Sequence, residues 1–338
     1  MNYKRWMLVL VTGVLALGLM AAPGYAADKT SGMRPVAKRP VAVKTFNARA
    51  AMIQAANKYF KNSPVPVISA ADVHTAVLAK DAGYQIVDVR AAGAYALGHI
   101  DGAINIPFTT IADDASLAQL DPAKIIVVVC YTGETASMTD MVWSMLGYNA
   151  RAMMYGMSGW VADKSIVGID IPSGKAAGYA TVTRPTTSHK TYRAPKLKGR
   201  YANLAAAVKG QTKAYFAKGL APVISAADVH KIVVTKNRHY QIVSVRQKAD
   251  YATGHIKGAR NIVWTDMADQ MTKLDPRKTT IVYCYTGNTG AQDAMFLNLM
   301  GYKTYNIMSG MSAWNNNPAV GGFVGYDPAL IANYPTVK

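Results

Sequence analysis

The sequence predicts an α/β fold made of two tandem domains, each a mainly parallel sheet flanked by helices. Three observations support this prediction. The chain has 338 residues, which is enough for two domains of ordinary size. Its two halves repeat one another, and within each half short apolar runs alternate with longer segments of helical periodicity. Hydrophobic residues make up 51% of the chain and charged residues 17%, a globular balance, so we expect two packed cores.

The repeat is visible by direct superposition of the two halves. An offset of 156 residues pairs Val67–His74 with Val223–His230. After a loop that is two residues shorter in the second half, an offset of 154 pairs Cys130 with Cys284. Self-similarity over this length identifies a tandem duplication, so each half should form the same fold.

Periodicity then assigns the elements of the first repeat in chain order. Helical spacing predicts a helix over 70–82, and a second over 135–146 that is stopped by Gly147. Apolar runs predict strands at 85–89, 103–106, 125–129 and 151–154, and a last helix starts at 158–160. Amphipathic helices over 48–60 and 204–216 precede the two repeats, and we expect each to pack on the repeat that it precedes.

The N-terminus has the order of a secretory signal peptide. Lys4 and Arg5 precede an apolar stretch from Trp6 to Ala22, and small residues follow up to Ala26. We therefore expect a periplasmic or secreted protein, with membrane contact only through this peptide if it stays uncleaved. The predicted organisation is a signal peptide (1–26), a basic N-terminal segment (27–45), a first domain (46–173), a basic linker (174–200) and a second domain (201–338).

The formal net charge of +18 is concentrated in two intervals. No acidic residue occurs between Asp28 and Asp72, or between Asp170 and Asp228. Such intervals are either solvated basic segments or surfaces that attract an acidic protein partner or small anions. A nucleic-acid partner is not expected, because the chain is predicted to be exported and has no aromatic-basic motif.

The only two cysteines, Cys130 and Cys284, each open a Cys-Tyr-Thr-Gly segment between a predicted strand and a predicted helix. A loop that opens a helix directs backbone N–H groups at such a thiol. These dipoles predict a thiol pKa lowered from about 8.5 into the range of roughly 3.5–7.5. A single cysteine here would fit an inert buried residue equally well, but duplication favours a functional one. With one cysteine in each repeat, we expect both thiols to be free.

Short motifs recur in the same order around both cysteines. In the first repeat they are Asp88-Val89-Arg90, Gly98-His99-Ile100, Asn105-Ile106-Pro107, the Cys130 loop and Gly156-Met157-Ser158-Gly159-Trp160. The second repeat has them as Val245-Arg246, Gly254-His255-Ile256, Asn261-Ile262, the Cys284 loop and Gly310-Met311-Ser312-Ala313-Trp314. From about 66 to 160 and from about 222 to 314 the chain resembles the rhodanese family of sulfurtransferases. The resemblance implies two tandem rhodanese-like domains, each a doubly wound α/β fold.

The resemblance also implies an activity. Cys130 and Cys284 would act as nucleophiles that take a sulfane sulfur from thiosulfate, a persulfide or a polysulfide. Each would carry it as a persulfide to a thiophilic acceptor, either cyanide or a thiol, without a cofactor or a metal. The cradle for the anionic sulfur would be formed by Tyr131, Thr132, Gly133, Glu134 and Thr135 in the first loop and by Tyr285, Thr286, Gly287, Asn288 and Thr289 in the second.

The remaining motif residues are interpreted as structural, with both histidines satisfied inside the fold: Asp88, Arg90, Arg246, His99 and His255. Glu134 disfavours an anion at the first loop, whereas Asn288 leaves the second neutral. We therefore expect Cys284 to be the better site and Cys130 to be a second site or a relay. The alternatives to a rhodanese-type enzyme are a non-enzymatic periplasmic carrier of sulfur or another chalcogen and an interaction scaffold.

Overall fold

A computed structural model describes residues 46–61, 66–168, 176–315, 317–320 and 331–338. The predicted signal peptide and the basic N-terminal segment lie outside these ranges, as do the last five residues of the predicted first domain. Within the described ranges, no helix is both long and apolar enough to cross a membrane. Both repeats belong to one compact unit.

Each repeat forms a five-stranded sheet in which every pairing is parallel. The first sheet has the order β1-β5-β4-β2-β3 and the second β6-β10-β9-β7-β8, so the most buried strand is central in each. This confirms the predicted fold class. The sequence assigned no strand to 67–68, because a two-residue strand has no detectable period. The strands are β1 (Val67–Ile68), β2 (Tyr84–Asp88), β3 (Ile104–Asn105), β4 (Ile125–Val129), β5 (Asn149–Met153), β6 (Val223–Ile224), β7 (Tyr240–Ser244), β8 (Arg260–Asn261), β9 (Thr279–Tyr283) and β10 (Lys303–Ile307).

Thirteen α-helices lie in the described residues, with short 3₁₀ turns at 108–110, 264–266, 271–273 and 318–320. The helix predicted over 70–82 ends four residues early, at Leu78, because Lys80 takes a positive φ of 48° and turns the chain toward β2. The helices are α1 (Ala48–Lys61), α2 (Ala70–Leu78), α3 (Ala92–Leu97), α4 (Asp114–Leu117), α5 (Glu134–Met145), α6 (Gly156–Trp160), α7 (Lys164–Val167), α8 (Leu204–Phe216), α9 (Ala226–Val234), α10 (Lys248–Thr253), α11 (Met267–Gln270), α12 (Asn288–Leu299) and α13 (Gly310–Trp314).

The two repeats share one hydrophobic core. Helices α5 and α12 pack on each other between the sheets, and α1 and α8 complete this helix layer. Because ten of the twelve residues of α5 and eleven of the twelve of α12 are buried, each helix needs cover on all sides. The expectation of two separate cores is therefore wrong. A smaller core lies on the outer face of each sheet.

Helices α1 and α8 each pack on the repeat that they precede, as expected, and each also contacts the other repeat. Phe60 at the end of α1 meets Trp264 and Phe296 of the second repeat edge-on, with ring centroids 5.4 and 5.7 Å apart. Phe216 at the end of α8 meets Phe108 of the first repeat at 5.0 Å. Each helix therefore contacts the other repeat through the aromatic residue at its end.

Two short segments also cross between the repeats, and we call them the arms. The first arm (Tyr179–Val182) lies in the predicted linker and pairs through Val182 with His255 of the second repeat. The second arm (Tyr334–Val337) pairs through Val337 with His99 of the first repeat. The predicted linker is thus partly a docked segment of the fold.

Candidate active site

Both cysteines stand where a central strand ends. Cys130 follows β4, and Gly133 then takes a φ of 101° as the residue before α5. The Gly133 N–H donates to the Cys130 Sγ at 3.0 Å, and the Gly287 N–H donates to the Cys284 Sγ at 3.1 Å. Gly287 has the same φ of 101°. Each loop can aim its amide inward because glycine accepts this left-handed conformation without a steric penalty. Both thiols are free, as predicted.

A second glycine, Gly156 or Gly310, packs closely against the backbone of each cysteine loop. The Met157 N–H donates to the Cys130 carbonyl at 2.7 Å. A Cβ on Gly156 would lie 2.4 Å from that carbonyl oxygen, and a Cβ on Gly310 would lie 2.7 Å from the Cys284 carbonyl oxygen. The Gly-Met-Ser motifs therefore hold the cysteine backbone at a distance that only glycine allows.

The pKa of the Cys130 thiol is raised, mainly because the side chain is buried, with 1% of its surface exposed. The negative charge of Glu134 raises this pKa further, as the sequence predicted. The Thr135 hydroxyl and the Ala136 and Gly133 amides lower it through hydrogen bonds to the sulfur. The expected lowering of the thiol pKa is thus wrong for Cys130, because desolvation outweighs the cradle.

Cys284 is 2% exposed and faces two groups that the sequence analysis did not select. Burial raises the pKa of Asp293 in α12 well above its ordinary value, and the nearby Cys284 raises it further. Burial likewise raises the pKa of Tyr155, a residue of the first repeat, and Cys284 adds to the effect. The sequence could have pointed to Asp293, because it is the only charged residue in α12.

Glu134 and Asn288 bring the two cysteine loops into contact. The Glu134 carboxylate, only 2% exposed, accepts hydrogen bonds from the Ser309 N–H at 2.9 Å and from the Thr132 hydroxyl. Burial raises the pKa of Glu134. From the second repeat, the Asn288 side-chain amide donates a hydrogen bond to the Ser137 Oγ of the first repeat at 3.0 Å. The residue after each glycine therefore reaches into the other repeat.

The other loop residues hold the loops to their own domains. The Tyr131 hydroxyl accepts from the Ala91 N–H at 3.1 Å, and the Tyr285 hydroxyl accepts from the Gln247 N–H at 3.1 Å. Tyr285 also donates to Asp250, and its pKa is raised to about 12, chiefly by burial. The Thr286 hydroxyl lies 3.3 Å from the Asn288 Oδ1, and Thr289 occupies the second position of α12, as Thr135 does in α5.

A cavity of about 400 Å³ lies against the first loop. Residues of both repeats form its wall. The lining residues are Val89, Ala91, Pro107, Phe108, Thr109, Tyr131, Thr132, Glu134 and Thr135 from the first repeat and Pro222, Val223 and Met308 from the second.

The arginines interpreted as structural lie inside the fold. Arg90 forms a buried ion pair with Asp88 at 2.7 Å and donates to the carbonyls of Ile166 and Gly98. Arg246 is fully buried and donates to the Val320 carbonyl at 2.8 Å. Such contacts tie the sheet edge to the segments around it.

Both motif histidines stack on a tyrosine of the preceding helical turn. His99 lies 3.7 Å from the Tyr95 ring, and its Nδ1 is 3.0 Å from the Tyr95 carbonyl. His255 is placed equivalently on Tyr251, with a second contact of 3.2 Å from its Nε2 to the Arg184 carbonyl. Burial lowers the pKa of His255. These contacts anchor the loop where each arm docks.

Comparison with known proteins finds the same family match in both repeats of the chain. The rhodanese-like domain family matches residues 71–163 and 225–317. The thiosulfate sulfurtransferase GlpE of Pseudomonas fluorescens is 32% identical over 74 residues, which are 22% of this chain and 68% of the relative. That of Pseudomonas entomophila is 33% identical over 76 residues, covering 22% and 70%.

Solved structures with similar segments were also found. A rhodanese-like domain protein from Staphylococcus aureus matches with a TM-score of 0.27 at 23% identity, covering 29% of this chain and 94% of that one. A thiosulfate sulfurtransferase from Pseudomonas aeruginosa matches with a TM-score of 0.28 at 16% identity, covering 77% and 46%. At these scores the two structures carry no argument about function. Since the family match spans more than half of the sequence, in both repeats, the chain belongs to the rhodanese-like domain family as a tandem of two such domains.

Proposed function

We propose that this protein is an exported sulfurtransferase that moves a sulfane sulfur through a cysteine persulfide. The observation that carries the proposal is the amide-to-sulfur hydrogen bond that recurs at Cys130 and Cys284, each at the end of a central strand. Membership of a family whose relatives include thiosulfate sulfurtransferases supports the same reaction.

The reaction divides into two balanced steps. The cysteine thiolate attacks the outer sulfur of thiosulfate, the S–S bond of the donor breaks, and sulfite leaves with the electron pair. The resulting Cys–S–S⁻ group then gives its outer sulfur to cyanide, forming thiocyanate, or to a thiolate, forming a new persulfide. The Gly133 and Gly287 amides stabilise the anionic sulfur in both forms, so a loop without a cation can still hold it.

We propose Cys284 as the faster of the two sites. Glu134 opposes the thiolate at Cys130, whereas the neutral Asn288 takes its place in the second loop. Asp293 lies near Cys284, but burial favours its protonated form, which brings no charge to the site. Cys130 would then be a second site or a relay.

A non-enzymatic sulfur or chalcogen carrier is the second candidate. The observation in its favour is the burial of both thiols, which are 1% and 2% exposed. A buried persulfide is protected from small acceptors and would be released only to a docked partner. An acidic protein partner would fit the basic groove of about 1010 Å³ lined by Arg49, Arg193, Lys196 and Arg200.

Export is proposed from the N-terminal pattern alone, in which Lys4 and Arg5 precede the apolar stretch. The compartment would be the periplasm or the exterior. Fractionation of cells that express the full chain, with mass spectrometry of its N-terminus, tests this proposal. A mature N-terminus close to Ala27 supports it, and a chain that keeps residues 1–26 in the cytoplasm contradicts it.

Thiosulfate- and polysulfide-dependent turnover, compared among wild type, Cys130→Ser, Cys284→Ser and the double variant, tests the function. We expect the larger loss from Cys284→Ser and complete loss in the double variant. In Cys284→Ser, the remaining rate should rise by about tenfold per pH unit between about pH 7 and 9, because only the thiolate reacts and the pKa of Cys130 is raised. Undiminished turnover in the double variant would rule out the mechanism, whereas stoichiometric loading without turnover would favour the carrier.

A further inference from the structure

The cavity beside the first cysteine loop has an unusual chemistry for a site that would accept a small inorganic anion. Among the described residues, none that lines it is a lysine, an arginine or a histidine. Aromatic and aliphatic side chains form most of the wall, including Phe108 and Tyr131. Its volume of about 400 Å³ is within the range of pockets that bind small organic molecules.

The second repeat supplies Pro222, Val223 and Met308 to this wall, and all three are apolar. Val223 lies in β6, and Met308 follows β10 with its N–H bonded to the Ile224 carbonyl at 3.0 Å. Phe108 on the other side is held edge-on by Phe216 of α8. Met308 and Phe108 are therefore both held in place by residues behind the wall.

Glu134 is the one carboxylic acid among the described lining residues. Its carboxylate is bonded to the Ser309 N–H and to Thr132, and its charge opposes an anion at Cys130. A dianion that enters loses its hydration without meeting a cation in the described part of the wall. An apolar substituent, in contrast, gains by leaving water for this surface.

We propose that the Cys130 site takes its sulfur from an organic donor that carries an apolar group, in preference to thiosulfate. This inference rests on the proposed sulfurtransferase function. With an organic thiosulfonate, the Cys130 thiolate attacks the terminal sulfur of R–SO₂–S⁻, the S–S bond breaks, and R–SO₂⁻ leaves with the electron pair. With an organic persulfide, the same attack on R–S–SH gives Cys130–S–SH and R–S⁻. The apolar group R lies in the cavity in both cases.

Donor preference in the Cys284→Ser variant tests the inference, because only Cys130 can then be loaded. Benzenethiosulfonate and thiosulfate are compared as donors, with persulfide followed by mass spectrometry and turnover by thiocyanate formation. We expect kcat/KM to be at least about tenfold higher for benzenethiosulfonate, since it carries one charge fewer and an apolar ring. Equal or better use of thiosulfate overturns the inference. No loading by either donor would instead contradict the proposed function at this site.

A cation placed in the wall should reverse the preference. Val223→Lys, in the Cys284→Ser background, is expected to shift the ratio of kcat/KM values toward thiosulfate by about tenfold. Val67→Lys is the matched control, because Val67 occupies the same position in the other repeat and should leave the ratio unchanged. If Val223→Lys does not fold, Met308→Lys with Met154→Lys as its control makes the same comparison. An unchanged ratio in the folded wall variant means that the donor does not enter this cavity, and overturns the proposal.

Discussion

Two carboxylic acids, Asp140 and Asp293, are fully buried in the helix layer between the sheets. Asp140 accepts hydrogen bonds from the Tyr59 hydroxyl at 2.7 Å, the Ser144 hydroxyl at 3.1 Å and the Gln292 side chain at 3.2 Å. Neither carboxyl oxygen of Asp293 has a hydrogen-bond partner among the described residues. Burial raises the pKa of both acids well above the ordinary value. The two residues therefore differ in their hydrogen bonds and not in their burial.

Asp293→Asn should stabilise the protein at neutral pH. Because the pKa of Asp293 is higher in the folded state than in the unfolded chain, the folded state binds the proton more tightly. The free energy of unfolding therefore falls as pH rises above the unfolded pKa of about 4. Asparagine removes this contribution, and we expect a gain on the order of 1–3 kcal/mol at about pH 7.5 that shrinks toward about pH 4.5. Urea denaturation at the two pH values measures it.

Asp140→Asn is the matched control for that prediction. An amide offers one acceptor oxygen in place of two, so at least one of the three donors around Asp140 would lose its bond. Because the pKa of Asp140 is also raised, removing its charge and losing these bonds act in opposite directions, and we expect this variant to gain less stability at neutral pH than Asp293→Asn. If Asp293→Asn shows the pH dependence of the wild type, Asp293 is charged in the folded state and our interpretation is wrong.

At the scale of elements, the arms reveal a repeat that is easily overlooked in the sequence. Tyr179-Ala180-Thr181-Val182 follows the first repeat and Tyr334-Pro335-Thr336-Val337 follows the second repeat. Tyr179 stacks on His230 with ring centroids 3.9 Å apart, and Tyr334 stacks on His74 at 3.8 Å. Each arm therefore binds the domain that it does not follow in the chain, and the two domains are fastened by exchanged segments.

Removal of one arm contact should loosen the domain on which that arm lies. We expect Tyr334→Ala to speed amide hydrogen exchange in α2 and around Trp160, whose indole N–H bonds the Pro335 carbonyl at 2.9 Å. Tyr179→Ala, the matched variant, should act on α9 and around Trp314 instead. Each loss should cost on the order of 1–3 kcal/mol of local stability, from the stacking and the buried area of a tyrosine. Faster exchange confined to the domain that the mutated arm follows would contradict the exchanged arrangement.

For the whole molecule, the shared core makes the two domains one folding unit. Both cysteines belong to this core, together with α1, α5, α8 and α12. A separated repeat would expose one whole face of the helix that follows its cysteine loop. The geometry of each cysteine loop therefore depends on the presence of the other domain.

We expect a single cooperative unfolding transition for the full chain. Residues 46–168 expressed alone should fail to fold stably, because α5 would lose the apolar cover of α12 and α8. Co-expression with the second half should restore a folded complex. Urea unfolding followed by near-UV and far-UV circular dichroism measures the number of transitions. Two separated transitions, or a stable isolated first half, would show that the domains fold independently.

Much of the candidate site follows from local sequence. The strand predicted over 125–129 has those limits in the structure, and the thiol stands directly after it. The period of apolar residues and the motif order carry this information, because both depend on neighbours in the chain. The helix at 70–82 was predicted too long because a single residue, Lys80, leaves the helical conformation while the apolar spacing continues.

The sequence alone determined the duplication, the parallel α/β fold, and the position of each cysteine between a strand and a helix. Only the tertiary structure decided that the repeats share a core, that each arm docks on the repeat it does not follow, and that Val223 and Met308 line the cavity beside the first cysteine loop. It also decided that the pKa of Cys130 rises, where the local amide dipoles predicted a fall. Burial is the physical reason for each difference: it is produced by residues far apart in the chain, and no local pattern records it.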